Sequence, residues 1–242
     1  MNVTKEKIRL LAFDLDGTLS QHKSKPPKET FETLLALSKK YRLLMVGAGD
    51  ANRIFNQLER FPIDVIGNYG MQYAKYNAEK KGLDFVFDNA LPCDKNECEK
   101  RVSFIRKKYG FTTYGGDSVQ FHASGCVTFA ILGTKAVLED KLAFDPTREK
   151  RRKILDEVTA LFPEYNVFVG GSSSFDMAPK PYNKYNALSK YCEEYGFSHD
   201  EVVFFGDDYG QGGNDESVYK SNFNFVKVDN YLDFPALAKF LL

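Results

Sequence analysis

Short apolar runs that end abruptly in acidic or glycine-bearing loops recur along the chain. The first, Ile8–Phe13, stops at Asp14-Leu15-Asp16-Gly17-Thr18 and reads as a buried strand that delivers carboxylates to a loop at its C-terminal end. Pro26-Pro27 opens a helical stretch to about Lys40, with Phe31, Leu34, Leu35 and Leu37 at helical spacing. Arg42–Val46 is a second strand, ending in Gly47-Ala48-Gly49-Asp50. A helix with Ile54, Phe55 and Leu58 on one face follows, and Asp64–Gly67 is a third strand. Strands alternating with helices at this pitch predict a doubly wound α/β core, a parallel sheet covered on both faces.

After about residue 86 the pattern changes. Asp94–Tyr109 reads as a helix, Val119–Ala123 and Cys126–Leu132 as strands around Ser124-Gly125, Pro146–Leu161 as a second helix, and Tyr165–Val169 with Ser173–Met177 as another strand pair. Helix, hairpin, helix, hairpin implies an antiparallel sheet backed by two helices, hence a separate α+β domain. From Lys184 the alternation returns: helix Lys184–Tyr195, strand Val202–Phe205, loop Gly206–Asp215, a short helix, strand Asn224–Val228 and a C-terminal helix. The expected organisation is a discontinuous core, residues 1–86 and 184–242, with a domain inserted at 87–183.

Charge changes the picture by exclusion. The 33 Lys and Arg balance the 33 Asp and Glu of this 242-residue chain, so no basic field suits a nucleic-acid partner. No apolar run approaches the roughly 20 residues of a membrane span, and the start of the chain has no signal-peptide pattern. Cys93, Cys98, Cys126 and Cys192 have no zinc-ligand spacing with the histidines and read as reduced thiols. A cytoplasmic protein is expected.

Ligands of open α/β sheets bind beyond the carboxyl ends of the strands. Asp14 and Asp16, Gly47–Asp50, and Gly206-Asp207-Asp208 with Asn214-Asp215 all fall there, and Lys184 stands at the front of a core helix. Carboxylates gathered in one cleft need a cation, and an all-oxygen set suits Mg²⁺ better than zinc or iron. Mg²⁺ beside a lysine suits a phosphate group.

These motifs resemble the haloacid dehalogenase-like (HAD) superfamily of phosphotransferases over essentially the whole chain. The insert is similar to the C2-type cap of its type IIB, sugar-phosphatase branch. Ser174-Phe175-Asp176, Phe204-Phe205-Gly206-Asp207 and Gly212-Gly213-Asn214-Asp215 resemble eukaryotic phosphomannomutases. The resemblance implies a Rossmann-like core, Mg²⁺ and an aspartyl-phosphate intermediate. Asp14 would be the nucleophile and Asp16 the general acid and then base. Asp14, the backbone carbonyl of Asp16, Asp207 and Asp215 would form the metal site, with Lys184 neutralising phosphate charge. Asn214 and Asp215 would hold metal-bound water or orient Lys184, or simply cap the next helix. Asp208 is either an outer group of the site or a plain loop carboxylate. Gly47-Ala48-Gly49 lacks the hydroxyl that the superfamily commonly places after this strand, and Gly49 stands where phosphomannomutases carry a Ser. Gly47, Gly49 and the start of the next helix are therefore expected to offer backbone N–H groups to phosphate.

A phosphohexomutase must hold a bisphosphorylated sugar in two orientations, and arginine forks best serve the second phosphate. The window from Lys107 to Thr147 contains no Arg; His122 and Thr134-Lys135 stand where phosphomannomutases have arginines. The expectation is a phosphatase acting on a small phosphorylated metabolite such as a sugar phosphate. A phosphomannomutase-like mutase, from mannose 6-phosphate to mannose 1-phosphate, is the alternative, and a non-catalytic sugar-phosphate binder the third reading. His122, Lys135, Ser174 and Asp176 are candidate substrate contacts or else solvent-facing strand and hairpin residues. Val127–Leu132 is either a homodimer interface through the cap or the cap's own core. His22 and His199 sit in loops with no assigned chemistry.

Overall fold

The computed structural model describes residues 5–242. The chain divides into two compact units, one holding the residues up to Asp88 with Asn183–Gly210 and Asp215–Leu242, the other Asn89–Tyr182 with Gln211–Asn214. In chain order the first unit supplies β1 (Leu10–Phe13), α1 (Lys28–Leu37), β2 (Arg42–Val46), α2 (Ala51–Gln57), β3 (Asp64–Gly67), β4 (Gln72–Asn77) and β5 (Gly82–Asp88). The second contributes α3 (Lys95–Tyr109), β6 (Val119–Phe121), β7 (Val127–Ala130), α4 (Leu138–Phe144), α5 (Glu149–Arg152), α6 (Leu155–Leu161), β8 (Tyr165–Phe168) and β9 (Ser174–Pro179). The chain returns to the first unit with α7 (Lys184–Tyr195), β10 (Val202–Gly206), α8 (Glu216–Tyr219), β11 (Asn224–Lys227) and α9 (Phe234–Leu237).

The first unit is a seven-stranded sheet in the order β11-β10-β1-β2-β3-β4-β5. Its first five strands are parallel, and both faces are covered because side chains alternate across each strand. Leu11 and Phe13 of β1 join Leu34, Phe55, Phe205 and Phe234 in one core. Leu10 and Ala12 join Leu188, Tyr191, Phe204 and Phe225 in the other. The doubly wound expectation holds for these five strands. Beyond it, β4 and β5 form an antiparallel hairpin at the sheet edge. Its turn is closed by Asn77, whose Oδ1 accepts the N–H groups of Glu79 and Lys80.

Strand order places the chemistry. β1 lies between β10 and β2, with Phe13 paired to Phe205 and Met45. The loops leaving β1 and β10 therefore emerge side by side, and Asp14 N–H still bonds the Phe205 carbonyl at 2.9 Å.

The second unit has a four-stranded antiparallel sheet, β6-β7-β9-β8. One face packs on α3 and α6 through Val102, Ile105, Val158 and Phe162 against Val127, Phe129, Phe175 and Met177. β7 is an inner strand, and Val127, Phe129 and Ile131 belong to the unit's own core. Asp94 caps α3, and Cys93, one residue earlier, packs its sulfur 3.7 Å from that of Cys98 in the first turns, the position of a hydrophobic staple. The thiols are free.

The continuous helix expected over Pro146–Leu161 is corrected to α5 and α6, preceded by α4. Arg148 takes a left-handed conformation at φ 61°, and Asp145 accepts the N–H groups of Lys150 and Arg151, which turns the chain there. Gln211–Asn214, read from sequence as core, groups with the second unit: Gly212 accepts from Val169 N–H at 2.8 Å, and its would-be Cβ lies 2.4 Å from Leu155.

Arg151 is the polar anchor of this unit. It is 1% exposed, pairs with Asp145 at 2.9 Å, and its Nη1 donates to the carbonyls of Gly170, Gly171 and Ser174. Arg151→Met strands a buried carboxylate and three acceptors, so it is expected to destabilise this unit by about 3–5 kcal/mol in urea unfolding; a loss below about 1 kcal/mol would remove this anchoring role.

Candidate active site

Four side chains converge where β1, β10 and α7 meet. Lys184, the first residue of α7, is fully buried, and its Nζ donates to Asp14 Oδ1 at 2.5 Å and Asp215 Oδ1 at 2.7 Å. Asp14, Asp207 and Asp215 each present a carboxylate oxygen to a cluster spanning no more than 4.8 Å. Thr18 Oγ1 lies 3.1 Å from Asp207 and 3.5 Å from Asp14. Gly17 is required here: its φ is +99°, and a Cβ would meet Asp207 Oδ2 at 2.4 Å. Asp215 spends its carboxylate on Lys184 and on the Asp208 N–H at 3.1 Å, and makes no side-chain cap for α8. Asp208 is 6% exposed and returns its carbonyl to Asp215 N–H, so it belongs to the site's frame rather than to a solvated loop.

Burial dominates the electrostatics. It pushes Asp14 up to about 6, against the pull of Lys184. It pushes Asp207 up to about 8, and the carboxylates of Asp14, Asp215 and Asp208 add to the effect. Asp215 is raised by burial despite Lys184. Burial alone would lower Lys184, yet Asp14 and Asp215 outweigh it and hold the ammonium charged. Three carboxylates therefore face one ammonium in an all-oxygen donor set, which fits a hard divalent cation such as Mg²⁺.

The Asp16 carboxylate lies outside that cluster. It accepts from Lys23 N–H at 2.7 Å, Gln57 Nε2 at 2.7 Å and Arg53 Nη1 at 3.2 Å, with His22 Nδ1 at 3.8 Å. Burial opposes ionisation there, but Gln57, Arg53, Lys23 and His22 prevail and hold Asp16 below its ordinary value. Sequence reading missed Arg53 and Gln57, gave His22 no chemistry and gave Thr18 of the first motif no role of its own; Arg53 and Gln57 carry no signal until α2 is placed beside the first loop.

The expected backbone phosphate cradle is partly committed within the protein. Gly47 N–H bonds Ile66 O, Ala51 N–H bonds Gln72 Oε1 at 2.9 Å, and Arg53 N–H bonds Asp50 Oδ1 at 3.1 Å. Gln72 also donates to Asp50 at 2.9 Å and to Asp88 at 3.0 Å. The first turn of α2 is thus largely capped from within the protein.

In the second unit, Thr128 lies directly across from Asp176 on the sheet face opposite the core. Thr128 Oγ1 donates to Asp176 at 3.0 Å, His122 Nε2 lies 3.0 Å from Thr128, and Ser174 Oγ lies 3.4 Å from Asp176. His122, Ser174 and Asp176 therefore form one polar row. Burial raises Asp176. Lys135 is exposed and stands apart over Gly116. Among the described residues no helix is long and apolar enough to cross a membrane.

A family model described as eukaryotic phosphomannomutase matches residues 30–228. The chain is similar to the phosphomannomutase of Saccharomyces cerevisiae, 27% identical over 221 residues that cover 87% of this chain and 84% of that protein. Phosphomannomutase 1 of Mus musculus is 27% identical over 230 residues, 89% of this chain and 84% of the relative. Among solved structures, an IMP-bound, N-terminally truncated IMP-nucleotidase of Plasmodium falciparum aligns with a TM-score of 0.69 at 19% identity, over 98% of this chain and 68% of that one. A HAD/COF-like hydrolase of Plasmodium vivax gives 0.62 at 13% identity, over 96% and 95%. These likenesses show the HAD fold, a Rossmann-like core with an inserted cap.

The carboxylate cluster has a pH signature. Asp207 ionises ordinarily near 3.8 and in the fold at about 8, so between those values the folded state binds more protons than the unfolded one. Stability is fullest at the acid end and declines as pH rises through that window. In EDTA the thermal midpoint should fall from about pH 5 to about pH 8, and Asp207→Asn should flatten the decline. A midpoint that rises over this range in EDTA would contradict the assignment.

Proposed function

The chain belongs to the eukaryotic phosphomannomutase family, and from that premise we propose that it moves a phosphoryl group between positions of a hexose phosphate, as a Mg²⁺-dependent phosphomutase. The observation that carries the reading is the buried bridge of Lys184 between Asp14 and Asp215, with Asp207 beside it. A carboxylate held by an ammonium is ionised and oriented, and attack by Asp14 on phosphorus gives an acyl phosphate as the ester P–O bond breaks. Asp16, held as a carboxylate, takes the proton of a sugar hydroxyl as that oxygen attacks phosphorus and returns it to the sugar alkoxide that leaves in the opposite transfer. Mg²⁺ held by Asp14, Asp207 and the Asp16 carbonyl, with Asp215 behind them, would screen repulsion between the anionic nucleophile and a dianionic phosphate.

The arginine gap favours a phosphatase when taken alone. Transfer is preferred because the family match runs through the cap as well as the core, and the cap is where mutase and phosphatase requirements diverge. Hydrolysis stands as the second reading on one observation: arginines of the second unit are spent on its own structure. Arg101 pairs with Glu97 and Glu164, Arg106 with Ser118 and two carbonyls, and Arg151 with Asp145.

A hexose-phosphate panel assayed both for phosphate release and for 1-to-6 interconversion, with a hexose bisphosphate as activator, separates the two. Interconversion exceeding release is expected; release without interconversion would establish the hydrolase. Asp14→Asn should lower either activity by about a thousandfold or more while leaving the fold intact, and EDTA should stop turnover until Mg²⁺ is restored. Undiminished turnover in the variant would remove Asp14 from the nucleophile role.

A further inference from the structure

We infer that Arg53 binds the phosphoryl group of the substrate, its guanidinium seated over Gly49 in place of a hydroxyl; the inference rests on the phosphotransfer reading above and adds a residue to it. Gly49 leaves open the space that a side chain would take, and the far end of Arg53 fills it. A Cβ there would lie 2.0 Å from Arg53 Nη2 and 2.6 Å from Cζ and Nε, so the guanidinium occupies the space that any other residue would fill. The loop beneath is fixed, since Gly49 O accepts from Asn68 N–H at 2.8 Å and Gly47 O from Tyr69 N–H at 3.1 Å.

The guanidinium is clamped at one end. Nη1 donates to Asp16 Oδ2 at 3.2 Å and to Gln57 Oε1 at 2.8 Å. Nη2 and Nε carry three further N–H donors, which have no hydrogen-bond partner among the described residues. The side chain is 41% exposed, more open than a purely structural clamp such as Arg151. A planar cation with donors to spare, held against a Cβ-free surface beside the acid–base carboxylate, matches the geometry of a phosphate oxygen pair. Backbone groups offer less, because Ala51 and Arg53 have already given their N–H groups to Gln72 and Asp50.

Orthophosphate is the probe. Its affinity is measured by calorimetry at saturating Mg²⁺ for the wild type, Arg53→Ala, Arg53→Lys, Gly49→Ala and the Arg53→Ala/Gly49→Ala double variant, with thermal melts confirming each fold. Arg53→Ala should weaken binding about ten- to a hundredfold, the loss of a charge-assisted contact, and Arg53→Lys should restore part of it. Gly49→Ala should weaken binding by displacing an intact guanidinium, and the double variant should be no worse than the worse single change, because both act through one contact. Unchanged phosphate affinity in Arg53→Ala overturns the inference, even where turnover falls, since Arg53 would then only position Asp16. A wild type that does not bind orthophosphate overturns it as well. The two readings fail separately: a wild type that binds phosphate through Arg53 but turns over no ester sinks the phosphotransfer proposal alone, whereas turnover that needs Asp14 with affinity indifferent to Arg53 sinks this one alone.

Discussion

The buried Lys184 bridge is the constraint on which the site depends. An ammonium at the first position of a helix meets the positive end of the helix dipole, and full burial removes its water. Lys184 survives there because Asp14 and Asp215 lie at 2.5 and 2.7 Å. The two carboxylates in turn are tolerable in the interior because of the lysine. One contact thereby ties the end of β1, the start of α7 and the loop before α8 to a common point. Asp207, buried and left facing these carboxylates without an ammonium of its own, departs far from its ordinary value, by burial first and by their charge second, and the cluster is suited to a cation.

Two carboxylates separated by one residue acquire opposite characters from this arrangement. Asp14 is raised by burial in a crowd of like charges. Asp16 turns toward α2, where burial is overcome by Gln57, Arg53, the Lys23 N–H and His22. The two acids therefore sit in distinct surroundings, Asp14 among like charges beside Lys184 and Asp16 among the donors of α2 and its own loop, which keep Asp16 an anion ready to accept a proton. Leu15 between them is 2% exposed and Leu19 is fully buried, so the loop is pinned by its apolar residues while its acids diverge.

Legibility in the sequence followed from how local each signal was. Asp14, Lys184, Asp207 and Asp215 were readable because each sits where a periodic element begins or ends, and the doubly wound rule sends those points to one edge of the sheet. Arg53, Gln57 and His22 were not, since only tertiary placement brings α2 against the loop after β1. The β4–β5 hairpin escaped notice because its turn relies on Asn77 bonding its own backbone. The break between α5 and the chain before it turns on a left-handed Arg148 and the inward reach of Arg151, which is 1% exposed; neither is visible in the helical spacing of Pro146–Leu161.

The inward turn of arginine also bears on specificity. Arg101, Arg106 and Arg151 of the second unit are bonded within it, and the sheet face opposite its core carries His122, Thr128, Ser174 and Asp176 in a row of acceptors and donors. Such a row suits hydroxyl groups, and the raised Asp176 carboxyl is a better partner for a sugar than for a second phosphate dianion. Lysine in this unit offers point charges, and Lys141 already gives one hydrogen bond to Thr134 O. A mutase must retain its bisphosphate while the sugar turns, and retention depends on the grip at the phosphate not reacting. With the forks of Arg101, Arg106 and Arg151 engaged inside the unit, this face offers partners for hydroxyl groups rather than a grip for phosphate, and that is the weight hydrolysis carries against transfer.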